Sequence, residues 1–154
     1  MPYPAEEPVV RALVARDVPA VIALYRRAMV PVWDACGRDY DLGRIEANLR
    51  HRLGDQEYIV EGVDGPQGLL GYLAWEQHPD HTSHYVIGHL RMLMVDPAYQ
   101  RSGLATRLVQ HFEHAARAVG CTKVLFDVIV GSPANDFYQR LGFRHWSNYM
   151  EKVL

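Results

Sequence analysis

The feature that most constrains this chain is a strand-like run that stops on Asp96-Pro97 and passes within a few residues into an amphipathic helix. Tyr85 to Val95 reads as a long strand, and proline cannot donate to a sheet ladder, so the strand must end there. Leu104, Leu108, Phe112, Ala115 and Val119 then recur at helical spacing, and Gly120 is a natural residue to follow the helix end. The turn between them, Gln100-Arg101-Ser102-Gly103-Leu104-Ala105-Thr106, opens the helix. Its first backbone N–H groups have no partners within the helix and carry the positive end of the dipole, so residues 101–106 suit a pyrophosphate. Gly103 and the small Ala105 allow close approach, and Arg101 adds a charge-assisted contact. Taken alone, the same residues also fit an ordinary strand-to-helix turn. They are neither a Walker A loop, since no Gly-Lys-Ser/Thr follows, nor a Gly-x-Gly-x-x-Gly turn.

The rest of the chain alternates in the same way. Val9–Val14 reads as a short strand, and Asp17 caps a helix with Pro19 in its first turn and Val18, Ile22, Tyr25 and Met29 on its apolar face. Trp33 to Tyr40 reads as a loop, and Leu42 to Leu53 as a second helix. Tyr58–Val63 and Leu69–Glu76 flank the turn cluster Asp64-Gly65-Pro66-Gln67-Gly68 and make a hairpin. Gln77–Ser83 reads as a polar loop, Lys123–Val130 as a buried strand, Pro133–Leu141 as a short helix and Phe143–Leu154 as a last strand. This predicts one α/β domain of the mixed α+β kind over residues 1–154, a central mixed sheet of six to seven strands flanked by about four helices.

A net charge of −2 and dispersed arginines argue against nucleic acid as a partner. No apolar run reaches membrane-spanning length, and Met1–Pro8 lacks the basic and apolar regions of a signal peptide. Cys36 and Cys121 sit far apart in unlike contexts and read as reduced thiols. Together these point to a cytoplasmic enzyme or binding protein.

Leu93-Met94-Val95-Asp96-Pro97-Ala98-Tyr99-Gln100-Arg101-Ser102-Gly103-Leu104-Ala105 resembles motif A of the GNAT N-acetyltransferase superfamily. Ala134-Asn135-Asp136-Phe137-Tyr138-Gln139-Arg140-Leu141-Gly142-Phe143 resembles its motif B, and Tyr149-Met150-Glu151-Lys152 its final strand. The resemblance implies that acetyl-CoA is the co-substrate, lying where the strands Tyr85–Val95 and Lys123–Val130 splay apart. The backbone of Leu93, Met94 and Val95 would bond the pantetheine arm, and that of Arg101, Ser102, Gly103, Leu104, Ala105 and Thr106 the pyrophosphate. It further implies that Tyr138 is the general acid at the leaving thiolate; a buried structural tyrosine is the alternative. An asparagine common in the family falls on Gly131 here, and Asn135 is the nearby substitute.

For the base, the family position on the long strand falls on His89, whose imidazole titrates near neutrality. Strand alternation places His89 on the side of Arg91, Leu93 and Val95. Asp127, Glu76 and a water relay compete for this role. His78, His81 and His84 lack metal-ligand spacing, so no metal is expected. The acceptor implied is a primary amine attacking directly in a ternary complex, with a small molecule favoured over a peptide acceptor, namely a protein N-terminus or lysine. Trp33, Asp34, Asp39 and Tyr40, with loop 77–84, would wall its site. A non-catalytic acyl-CoA-binding module is the reading from another class. Families of this kind commonly form homodimers.

Overall fold

In the computed structural model, five strands form one sheet in the order β1-β2-β3-β4-β5. The structure describes residues 7–154; segment 1–6, which holds most of the stretch read above for a signal peptide, lies outside the described residues. The strands are β1 Val10–Ala12, β2 Tyr58–Gly65, β3 Gly68–Pro79, β4 Val86–Val95 and β5 Lys123–Phe126. The α-helices are α1 Val18–Ala28, α2 Val30–Cys36, α3 Leu42–Arg52, α4 Leu104–Ala118 and α5 Ala134–Arg140. β1 to β4 are antiparallel neighbours, and β5 joins β4 in parallel.

The sheet separates two cores. On one face α1, α2 and α3 bury Val18, Leu24, Tyr25, Trp33 and Leu49 against Tyr72, Ala74 and Met94. On the other, Leu104, Leu108 and Phe112 of α4 pack on Leu73, Trp75, Leu90 and Val95. Gly88 lets α4 approach: a Cβ there would stand 3.0 Å from Cβ of Ala116. From Leu69 to Trp75 β3 is buried without a break, because each of its faces serves a different core.

Five expectations are corrected. The sheet has five strands among the described residues rather than six or seven, with five α-helices rather than four. The extra helix is α2, in a segment expected to be a loop from Trp33 onward. Burial of Trp33 holds it, and Gly37 ends it in the left-handed conformation at φ 66°. β5 stops at Phe126 instead of Val130, its pairing with β4 ending at Leu90. Residues 143–154 form no strand, and Trp146, Tyr149 and Met150 are exposed.

Candidate active site

The site is organised by a one-residue irregularity in β4. Ala74 of β3 pairs with Met92, but the next residue, Trp75, pairs with Leu90, so Arg91 is an extra residue in β4. Such a bulge bends the strand and re-aims its side chains. Before it, Gly88 and Leu90 face α4. After it, Leu93 and Val95 face α4, while Met92 and Met94 join the opposite core. His89 therefore lies on the face of Met92 and Met94. This corrects the alternation that grouped it with Leu93 and Val95, because a bulge resets the period of two.

The bulge also opens the sheet. β4 and β5 pair from Ile87–Lys123 to Leu90–Phe126, and beyond that no described strand pairs with this edge of β4. The backbone of Leu93, Met94 and Val95 thus continues along β3 with its other edge facing the parting.

At the far end of β4 the turn has the shape of an anion cradle. Arg101 adopts φ 60° and Gly103 φ 85°, with Ser102 between them outside the positive-φ region. Alternation of left-handed and other residues turns successive N–H groups toward one point, a nest for anions. Gly103 is needed for this φ, not for clearance: nothing lies within 4 Å of a Cβ built there. Ser102 Oγ donates to the Tyr99 carbonyl, fixing the turn, and Leu104, Ala105 and Thr106 begin α4. The nest plus the start of a 15-residue helix fits a pyrophosphate.

Tyr138 of α5 is buried against Phe126, ring centroids 4.2 Å apart, with Phe137 and Phe143 edge-on at 5.0 and 5.5 Å. Burial pushes its phenol well above the ordinary tyrosine range, so it keeps its proton at neutral pH. Since Phe126 is the last residue of β5 to pair, Tyr138 stands beside the parting of the strands. Asn135 donates from Nδ2 to the carbonyls of Ile129 and Ser132 at 3.1 and 2.9 Å, bracing the loop after β5.

On the face of α1 to α3, His89 is the centre of a polar cluster. Its Nε2 lies 3.1 Å from Oδ2 of Asp127 and 3.3 Å from Nη1 of Arg91, and its Nδ1 lies 3.3 Å from Nε2 of His78. Glu76 holds Arg91 through two guanidinium nitrogens and is 3.7 Å from Arg52 Nη1. Burial, then the Arg91 charge, lowers the His89 pKa, with Asp127 opposing. His78, expected in a loop, is on β3. Asp127, a competing candidate for the base, follows Leu125, the register partner of His89, by two residues and so shares its face. The signal that finds it is this register, which requires the sheet.

Beside the cluster, Met92 floors a cavity of about 270 Å³ walled by Tyr25, Trp33, Tyr40, Arg38 and Arg44. The rings form a chain, Trp33 standing 5.7 Å from Tyr25 and 5.5 Å from Tyr40. Asp39 lines the same cavity; Asp34 does not.

The model of the acetyltransferase (GNAT) family matches residues 18–143, a span that contains the bulged strand, the nest and Tyr138. The chain belongs to the GNAT acetyltransferase family. Among curated relatives, a mycothiol acetyltransferase from Saccharopolyspora erythraea is 34% identical over 134 residues, covering 84% of this chain and 41% of that protein. A glucosamine 6-phosphate N-acetyltransferase from Trypanosoma brucei brucei is 36% identical over 58 residues, 38% of each chain. The chain thus spans about two fifths of the length of these relatives. Among solved structures, a Trypanosoma brucei acetyltransferase superposes with a TM-score of 0.68 at 24% identity, covering 94% of this chain and 98% of that one. That likeness establishes the mixed α+β GNAT fold.

Proposed function

We propose that this GNAT chain transfers acetyl from acetyl-CoA to a primary amine of a small molecule, by direct attack in a ternary complex. The observation that carries this reading is the alignment, along one strand, of an anion nest at Arg101–Gly103 with an open edge at Leu93–Val95. A pyrophosphate-bearing arm fits that pair of features, with Leu93, Met94 and Val95 supplying backbone bonds and residues 101–106 holding the phosphates. Asn135 Oδ1 accepts from an amide of the same arm. Bound acetyl-CoA supplies the activated thioester carbonyl.

Two residues of the chain move protons. His89 takes a proton from the ammonium form of the acceptor, leaving the lone pair that attacks. Tyr138, kept neutral by burial, donates to the departing sulfur. The acceptor lies over Met92 in the aromatic cavity, whose size suits a small molecule better than a folded chain end. The names of the two curated relatives, both acetyltransferases of small molecules, agree with this choice. A panel of small amines, amino sugars and peptides assayed for coenzyme A thiol release tests it. Turnover is expected with a small amine; turnover with peptides alone, or none despite tight acetyl-CoA binding, overturns it.

A further inference from the structure

We propose that His78 is a positioning residue that fixes the tautomer of His89, so that Nε2 is the proton-accepting atom and Asp127 receives the imidazolium that results. The part concerning proton uptake rests on His89 being the base; the part concerning the tautomer stands on hydrogen bonding alone.

The carbonyl of Pro79 can only accept. Nδ1 of His78 lies 3.1 Å from it and therefore carries the proton. In neutral His78 this leaves Nε2 as an acceptor. Nδ1 of His89, 3.3 Å away, must then be the donor, which leaves Nε2 of His89 with its lone pair. A second contact requires the same answer from the opposite end. Arg91 Nη1, which has protons and no lone pair to offer, points at His89 Nε2 at 3.3 Å. The chain Pro79–His78–His89–Arg91 thus has one consistent proton assignment.

Asp127 stands outside that assignment until a proton arrives. Its Oδ2 is 3.1 Å from the same Nε2, and while His89 is neutral neither atom has a proton for the other, so the contact becomes a hydrogen bond only in the imidazolium. Neutral His89 accepts there from Arg91; protonated His89 donates there to Asp127. When the acceptor ammonium gives up its proton, its N–H bond breaks and an Nε2–H bond forms. Arg91 is released to Glu76, which already holds it. The route in passes Asp127, whose side chain is 51% exposed, whereas that of His89 is 7% exposed. The charged and titratable groups facing His89 are His78 and Glu76 from β3, Arg91 from β4 and Asp127 after β5, with Arg52 of α3 behind Glu76.

Long-range nitrogen–proton correlation spectra of protein labelled with ¹⁵N-histidine read the tautomer directly at a pH where both rings are neutral, with His89→Gln assigning the signals. The wild type is expected to show His89 protonated on Nδ1. His78→Leu should move that proton to Nε2, lower kcat about tenfold and leave acetyl-CoA affinity unchanged. His78→Gln, whose Oε1 replaces the lost acceptor, should restore both the Nδ1–H form and most of the rate. A wild-type Nε2–H tautomer, or a tautomer indifferent to His78→Leu, overturns the inference. Full turnover by His89→Ala overturns the base assignment instead, and leaves the tautomer result standing.

Discussion

His89 Nε2 and Asp127 Oδ2 approach to 3.1 Å across the last paired turn of two parallel strands, where the sheet begins to open. Burial and the Arg91 charge push the imidazole below its ordinary 6.5, while Asp127 pulls the other way. The unfolded chain therefore takes up a proton that the folded chain resists. Stability from this group is intact above the unfolded value and is lost as pH falls through the folded one. Melting temperatures of the wild type should fall more steeply from about pH 7 to about pH 5 than those of His89→Gln, other groups being common to both. Parallel curves would show that His89 is not held neutral.

Gly103 stands at φ 85°, where an L side chain costs about 1 kcal/mol. Gly103→Ala is expected to weaken acetyl-CoA binding about tenfold through distortion of the nest. Gly103→Glu adds bulk and a negative charge at the phosphates and should abolish binding. Titration calorimetry decides, and unchanged affinity for the glutamate variant would refute the phosphate assignment.

Tyr138→Phe keeps the aromatic packing on Phe126 and removes only the hydroxyl. Turnover is expected to drop by about 100-fold with acetyl-CoA affinity nearly constant, since proton donation acts in the transition state. A parallel loss of binding and rate would mean that the hydroxyl holds the ligand instead.

Tyr40 caps the aromatic cavity from its exposed end, its ring tilted against that of Trp33. Tyr40→Ala should raise the acceptor KM several-fold, leaving acetyl-CoA affinity as it was. If steady-state kinetics instead show the acetyl-CoA KM rising, the cavity serves the other substrate.

Gly88→Val tests the packing that carries the site. Even a Cβ would press on Ala116, and the larger side chain should force α4 from the sheet at about 2 kcal/mol. Chemical denaturation measures it; an unchanged midpoint would mean that the helix yields freely.

Much of this protein is written locally. The stop at Asp96-Pro97, the helical spacing from Leu104 to Val119 and the motif around Tyr138 depend only on neighbours in the chain, and each element formed where expected. Elements that need a distant partner were less legible. The segment after Phe143 has strand-like composition but forms no strand, and β5 ends where its pairing with β4 ends, at Leu90. The same physics governs the site. Residue types and spacing pointed to the turn at Arg101–Thr106, and the family resemblance named His89 and Tyr138. Which face His89 occupies was decided by an extra residue at Arg91, visible only once β3 and β4 are in register. Its meeting with His78 and Asp127 was likewise set by pairing across three strands. Sequence fixes a residue's chemistry and its local backbone, whereas the partners that tune that chemistry come from chain segments dozens of residues away.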